Sequence, residues 1–202
     1  MSNALRRKKK PDFYTKVESK EIHEKAKRDI AIDNVVSRSY KEFMVVGYII
    51  LHDKFGFGQK RIIRLQDTVN KYLDEVANGN QDMSGNSLAY FLEKKYKVDV
   101  TKFVNSVPQR HLMKLYTQKG RVKEGEAYRI SSASMFNYLA LTLTALKSMF
   151  KLTAKQLNEF CDKFIDYIDT LANYDRYLLT VPMIADTLEE EINFKCDLEG
   201  VT

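Results

Sequence analysis

The chain has 202 residues, of which 44% are hydrophobic and 30% charged, and it contains only three prolines and eight glycines. This length suffices to bury a core, and this composition favours a globular, helix-rich protein over a β-sandwich or barrel. The longest apolar run, FMVVGYIIL, has nine residues, against roughly 20 needed to cross a bilayer. No apolar segment follows the first basic residues as in a secretory signal. We therefore expect a cytoplasmic protein with no membrane contact.

The net charge of +6 is unevenly distributed. Residues 1–16 carry +5 of it, residues 107–130 carry +4, and residues 131–194 carry −4. The main part of the chain is therefore dipolar rather than basic. The overall charge by itself is a weak argument for nucleic-acid binding, and the position of the cations matters more.

The first part of the chain predicts a disordered basic arm over residues 1–16, followed by a leading helix and a first helical module over 17–106. The leading helix should end near residue 37. Ser39, with Glu42 three residues on, matches a capping box and predicts that a new helix begins there. Because this helix is almost continuously apolar as far as Phe55, we expect it to be central and buried.

The next segments continue the helical pattern. Apolar residues at i, i+3 and i+4 predict a helix over about 58–78, which Asn78-Gly79 should end. A third helix should begin at Ser84 or Ser87, and short helical pieces should follow around 101–117. A basic linker is predicted over 107–130.

A second helical module is predicted over 131–197, with a tail at 198–202. Ser134 should begin a second nearly all-apolar helix. A polar-capped helix follows at about 153–173, and Thr180 should cap a last helix with Pro182 in its first turn.

The two modules align at an offset of 95 residues. Between 51–78 and 146–173, eight of 28 positions are identical, and Ser39 and Ser134 fall in register. The sequence thus predicts an all-α fold, a helical bundle built from two similar three-helix modules plus a leading helix. The alternative is two unrelated helical hairpins.

The stretch FGFGQK, residues 55–60, could be a phosphate-binding glycine loop or a turn between helices. The aligned residues 150–155 read FKLTAK and lack both glycines, and no Gly-Lys-Ser/Thr follows as a P-loop requires. We therefore expect a turn, in which Gly56 ends the preceding helix. Lys60, Arg61 and Arg64 remain candidates, because three cations near a helix N-terminus oppose its dipole.

Three groups of cations are the candidate nucleic-acid-binding residues. They are Arg6, Arg7, Lys8, Lys9 and Lys10 in the arm; Lys60, Arg61 and Arg64; and Arg110, Lys114, Lys119, Arg121 and Lys123 in the central segment. Tyr116 and Tyr128 lie among the last group and could stack on bases. The alternative is that these cations are only solvated or neutralise the acidic second module.

A helix-turn-helix reader is disfavoured by the charges of the two modules. The helix that would enter the groove carries Lys94, Lys95 and Lys97 in the first module. The second module has Glu189, Glu190 and Glu191 there, and three glutamates cannot lie against phosphates.

No catalytic or metal-binding pattern is found, so we predict no catalytic residue, metal or cofactor. His23, His52 and His111 lie in separate segments without ligand or triad spacing. His52 and Asp53 are neighbours on a helix, so their side chains are expected to point apart. Cys161 is expected to be a core thiol.

The segment YIILHDKFGFGQKRIIRL resembles small helical proteins of phages and prophages of Gram-positive bacteria, for which no activity is established. The residues that carry the resemblance are Leu51, Asp53, Phe55 to Gly58, Lys60, Arg61 and Leu65. It implies a bacterial host cell and a mobile-element origin, and it transfers no catalytic residue.

Together these observations predict a non-enzymatic accessory or regulatory protein of phage type that acts by binding. DNA or RNA, contacted by the basic arm and the central basic segment, is the first expected partner. The alternative is a helical protein–protein interaction module, either a homo-oligomer or an adaptor for a host or phage protein.

Overall fold

The computed structural model describes residues 13–118 and 121–198, and their side chains from residue 20 onward. Within these ranges the chain forms nine α-helices and one 3₁₀ turn at Gln81–Met83. The α-helices are α1 (Phe13–Phe55), α2 (Gln59–Ala77), α3 (Gly85–Tyr96), α4 (Val100–Ser106), α5 (Gln109–Tyr116), α6 (Glu124–Phe150), α7 (Ala154–Ala172), α8 (Tyr174–Tyr177) and α9 (Val181–Ile192). The predicted all-α class is confirmed.

Two further expectations concern the ends of the chain and the membrane. Residues 1–12 of the predicted basic arm lie outside the described residues, and α1 already begins at Phe13. Among the described helices, none combines the length and the apolar character that a membrane span requires.

The long helix α1 corrects one prediction. The expected boundary at Ser39 is wrong, because α1 runs without interruption through this residue. Ser39 is buried and its Oγ donates a hydrogen bond to the Val36 carbonyl at 3.0 Å, while Glu42 pairs with Arg38 at 2.8 Å. A serine hydroxyl that bonds to the preceding turn is compatible with a continuous helix. The boundary predicted at Ser134 is wrong for a similar reason, since Ser134 lies buried inside α6.

Helix α6 and the C-terminal part of α1 run parallel and form the centre of the molecule. The Arg28 guanidinium pairs with Glu126 at 2.8 Å near one end of α6, and the Phe57 ring meets the Phe150 ring at the other. Between these ends, Tyr138 of α6 packs so closely on Gly47 of α1 that a side chain at Gly47 would collide with the tyrosine hydroxyl. Any side chain at position 47 would therefore displace the buried Tyr138 ring.

The remaining helices cover this central pair, and several of them pack on the central helix of the other predicted module. Helices α2 and α3, which follow α1, pack on α6, while α7 and α9, which follow α6, pack on α1. One continuous hydrophobic core contains residues of both modules. Each module's outer helices thus contact the central helix of the other module.

The helix bounds agree with the register found in the sequence. Helices α2 and α7 have 19 residues each and begin 95 residues apart, and α3 and α9 have 12 each and begin 96 apart. Of the alternatives Ser84 and Ser87, Ser84 is the N-cap of α3, and the N-cap predicted at Thr180 is confirmed. Thr153 supplies the polar cap expected for the helix at about 153–173. Each of the three side chains accepts a hydrogen bond from a backbone N–H of the following turn.

Side-chain contacts are also matched across the two halves. The Tyr72 hydroxyl lies 3.1 Å from Ser148 Oγ, and the Tyr167 hydroxyl donates to Asp53 Oδ2 at 3.3 Å. Tyr72 and Tyr167 correspond at an offset of 95, as do Asp53 and Ser148. The two hydrogen bonds therefore connect equivalent positions.

Candidate functional site

The two helix-to-helix corners have the same backbone geometry. The first corner comprises residues 51–59 and the second comprises residues 146–154. Gly56 and Lys151 both adopt the left-handed conformation, at φ +63° and +58°. The next amide in each corner, of Phe57 or Leu152, donates to the Leu51 or Leu146 carbonyl at 3.0 and 3.4 Å. This is the C-terminal pattern that closes a helix.

The glycines of the first corner therefore belong to a turn. Gly56 ends α1 in the left-handed conformation, as predicted. Gly58 is the N-cap of α2 with extended backbone angles that any residue can adopt. Neither glycine is held against a surface that a ligand would have to approach, since added Cβ atoms would meet nothing within 4 Å.

The corners pack on each other through a phenylalanine pair. The Phe57 and Phe150 ring centroids are 4.8 Å apart, and Phe57 is buried. Phe55 and Phe150 are only half-buried, so part of each ring faces solvent. The two corners together thus form one aromatic surface at the C-terminal ends of α1 and α6.

A groove of about 540 Å³ crosses this surface. We call it the basic–aromatic groove, and its lining residues are Lys54, Phe55, Phe57, Arg61, Arg64, Phe150, Leu152 and Gln156. The Arg61 guanidinium lies 5.6 Å from the Phe57 ring centroid, and the Arg64 guanidinium lies 5.8 Å from that of Phe150. The rings hold both guanidinium groups by cation–π contact.

The cations of the groove have no acidic partner among the described residues. Lys54, Arg61 and Arg64, together with Lys60 beside them, are exposed and form no ion pair there. Gly58 supplies no side-chain cap to α2, and the first turn of α2 has no acidic residue. Cations at this end of a helix oppose its dipole. This applies to Lys60 and Arg61 in the first turn of α2, whereas Lys54 lies in the last turn of α1, where the dipole favours a cation.

The two arginines have no counterpart beyond the second corner, although that corner contains Lys147 and Lys151. Gln156 and Glu159 occupy the positions of Arg61 and Arg64 at the offset of 95, and only Lys155 repeats Lys60. Thr153 and Gln156 instead complete a capping box at the start of α7. The positive character of the groove is therefore a property of the first corner.

The central basic segment lies far from the groove. Arg121 and Lys123 precede α6, whereas the groove lies at its other end. At 1.5 Å per residue, the 27 residues of α6 separate the two regions by about 40 Å. Arg110 and Lys114 lie on α5, and Lys114 pairs with Asp175 at 3.3 Å. The described residues do not form one basic face.

The remaining predicted residues divide into three groups. Arg6, Arg7, Lys8, Lys9, Lys10 and Lys119 lie outside the described residues. Tyr116 is buried, with 2% of its surface exposed, so the expectation that it could stack on a base is wrong. Tyr128 is partly buried.

Sequence reasoning missed several residues of this end of the molecule. Lys54 and Phe150 join the groove only because the two corners pack together. The C-terminal lysines of α3 also lie at this end, since Lys147 near the end of α6 sits 4.6 Å from the Tyr96 ring centroid. The sequence did offer one indication of this surface, since Phe55 and Phe150 occupy equivalent positions at the offset of 95.

Cys161 and His111 are buried and belong to the core. Burial raises the pKa of the Cys161 thiol, which confirms the expected core thiol. Burial also lowers the pKa of His111, and nearby Asp169, with its carboxylate 3.5 Å from Nδ1, only partly opposes this effect.

The expectation that His52 and Asp53 point apart is wrong. Ligand atoms of these two residues and of Glu191 lie within 4.8 Å of one another. The α1 terminus brings the first two to α9, where the third is found.

No family model, curated protein or solved structure matches the chain.

Proposed function

We propose that this protein acts by binding and that it contacts a single-stranded nucleic acid through the basic–aromatic groove. The observation that carries the proposal is the set of exposed cations around half-buried phenylalanines, without carboxylate partners among the described residues. The proposal includes an accessory or regulatory role of phage type, which depends on the resemblance of the segment around the first corner.

The chemistry of the groove suits a phosphate backbone with accessible bases. One guanidinium group can donate two parallel hydrogen bonds to the oxygens of one phosphate. Less conformational entropy is lost on binding when the guanidinium group is already held in place. Arg61 and Arg64 are held against phenylalanine rings. Unpaired bases stack on aromatic rings and on guanidinium planes, a contact that each base can make. A duplex hides these faces, so the groove favours single strands.

The test gives α2 the residues that α7 carries at the two equivalent positions. The double variant R61Q/R64E places the residues of the second corner in the groove. The matched control R110E/K123Q changes the charge by the same amount at the central segment. Binding of labelled single-stranded DNA, single-stranded RNA and a duplex is measured by fluorescence anisotropy, with circular dichroism as the check on folding.

We expect the groove variant to bind single strands at least about tenfold more weakly, since it removes two guanidinium groups and a hydrogen bond to a charged group contributes about 1.5–3 kcal/mol. The control should bind nearly as well as the natural chain. Absence of binding at low salt, or an equal reduction of affinity in both variants, would refute the proposal.

A second function, helix-mediated protein association, is favoured by the first half of α1. Residues 20–30 are all exposed, and Ile22 and Ile30 expose 69% and 60% of their surface. Both lie on one face of the helix, two turns apart. Light scattering at increasing concentration tests this function: a mass above the monomer that I22E/I30E abolishes would support it, and a monomer throughout would exclude self-association.

We infer further that the two modules derive from one duplicated unit. The matched helix bounds, corner geometry and tyrosine hydrogen bonds support this inference. If it holds, replacing LHDKFGFGQ by LKSMFKLTA in the first corner should preserve the fold. Failure of this variant to unfold cooperatively would count against it.

A further inference from the structure

Three metal-ligating groups meet where the C-terminal ends of α1 and α9 lie side by side. His52 and Asp53 come from α1 and Glu191 from α9, with ligand atoms within 4.8 Å of one another. His52 is half-buried and both carboxylates are exposed. The group lies outside the set of residues that line the basic–aromatic groove.

The hydrogen bonds of His52 fix the role of each ring nitrogen. Nδ1 lies 3.1 Å from the Phe57 carbonyl oxygen, which can only accept, so Nδ1 carries a hydrogen. In the neutral ring Nε2 is then an acceptor with a free lone pair. It lies 2.8 Å from Glu191 Oε2, which is also an acceptor when ionised. Two acceptors at this distance require a positive charge between them, either a proton or a metal ion.

The surroundings of the pair favour a metal ion. Asp53 adds a second carboxylate, which Tyr167 orients by donating to its Oδ2 at 3.3 Å. The His52 bond to a backbone carbonyl is the outer contact that metal-ligating histidines usually make. One imidazole and two carboxylates supply three ligands and leave a fourth position open, as in many zinc sites.

The residue of the second corner that is equivalent to His52 carries a positive charge. Lys147, which corresponds to His52, donates from Nζ to the Leu152 carbonyl at 2.9 Å, just as His52 donates to Phe57. Lys147 also lies over the Tyr96 ring. A permanent cation therefore stands at the end of α6, where the helix dipole favours positive charge. At the end of α1 the corresponding charge depends on what His52 binds.

We propose that His52, Asp53 and Glu191 bind a transition-metal ion of the Zn²⁺ class, which joins α1 to α9. An imidazole ligand selects such ions over Mg²⁺ and Ca²⁺, which prefer sites made of oxygen atoms alone. Ligand atoms around tetrahedral Zn²⁺ stand about 3.4 Å apart, as follows from bonds of about 2.1 Å. The His52–Glu191 separation of 2.8 Å is shorter than this value by about 0.6 Å, and all the ligand atoms lie within 4.8 Å of one another, so an ion would be admitted by a small side-chain rotation that moves this pair apart.

The test is titration of the full chain with Zn²⁺ by isothermal calorimetry, after treatment with a chelator, and with Mg²⁺ in parallel. Co²⁺ provides a visible absorption spectrum that reports coordination. We expect one tightly bound Zn²⁺ per chain, a higher unfolding temperature with Zn²⁺, and no comparable effect of Mg²⁺.

Three variants separate a metal site from a structural contact. H52K copies Lys147 and should fold and remain stable without metal, but it should no longer bind Zn²⁺. E191Q should bind at least about tenfold more weakly, because even the loss of an outer-shell partner of a ligand costs about 10–100-fold in metal affinity. H23Q removes an exposed histidine elsewhere on α1 and should bind like the natural chain.

The proposal is overturned if the natural chain does not bind Zn²⁺ near neutral pH, or if H52K binds it equally well. A proton alone would then bridge His52 and Glu191. These outcomes are independent of nucleic-acid binding, because the calorimetric titration contains no nucleic acid.

Discussion

The two corners reach one backbone geometry with different side chains. The first corner uses Gly56 for the left-handed residue and the second uses Lys151. A histidine donates to the following loop carbonyl in the first, and a lysine does so in the second. The first corner alone places two arginines over the phenylalanine pair. The same turn therefore forms with different residues at equivalent positions. The two arginines occur in the first half alone, so the turn itself does not require them.

The largest expected effect comes from the aromatic contact between the corners. Because Phe57 is buried against Phe150, F57A should lower the free energy of unfolding by about 3–5 kcal/mol. The corresponding variant L152A should cost about 2–5 kcal/mol. Urea denaturation monitored by circular dichroism measures both. A cost below about 1 kcal/mol for F57A would show that the corners do not depend on this contact.

Substitutions at the two left-handed residues, Gly56 and Lys151, should change the stability of the fold in opposite directions. G56A places a Cβ at φ +63° and should destabilise the chain by about 1–2 kcal/mol, although no atom lies near the added carbon. K151G removes the strain from the second corner and should stabilise by up to about 1 kcal/mol. Thermal unfolding of the two variants side by side decides this, and a stabilising G56A would contradict the assigned turn geometry.

The smallest expected effect is a difference in pH dependence between two histidines. Burial alone lowers the pKa of His52, but its hydrogen bonds to the Phe57 carbonyl and the Glu191 carboxylate outweigh burial, so its pKa is raised above 6.5. Its contribution to stability is complete at pH values below 6.5 and disappears as the pH rises through the raised pKa. The pKa of His111 is lowered by burial, so its contribution is present above 6.5 and disappears as the pH falls.

Urea denaturation across pH 5–9 in the presence of a chelator tests this difference. The stability gap between the natural chain and H52Q should be widest at acidic pH, and the gap to H111Q should be widest at alkaline pH. Parallel pH profiles for the two variants would rule out the assigned hydrogen bonds of His52.

Most of the fold could be predicted because its signals are local. Helices α2, α7 and α9 have apolar residues at helical spacing, and side chains such as Thr153 and Thr180 cap their helices where the sequence indicated. The continuity of α1 could not be predicted, because the local sequence around Ser39 is compatible with two roles of its hydroxyl. It can cap a new helix, or it can donate to the Val36 carbonyl within an existing helix. Only burial of Ser39 against other helices distinguishes the two.

The candidate site was predicted in part, and for a related reason. Arg61 and Arg64 were found because charge near a helix start is visible in the sequence. Phe150 and the pair His52–Glu191 depend on contacts between distant segments, 139 residues apart in the second case. Such contacts follow from the parallel packing of α1 and α6 and the placement of α9 on α1, which the helical periodicity does not specify.

The most direct test of the account is the salt dependence of single-strand binding by the natural chain and by R61Q/R64Q, which removes both cations without adding a negative charge. Removal of one cation that neutralises a phosphate should reduce the slope of log K against log salt by about 0.7 for single strands. Because the variant removes two such cations, its slope should be flatter by about 1.4. An unchanged slope would show that Arg61 and Arg64 do not contact the phosphate backbone, and the nucleic-acid function of the basic–aromatic groove would be rejected.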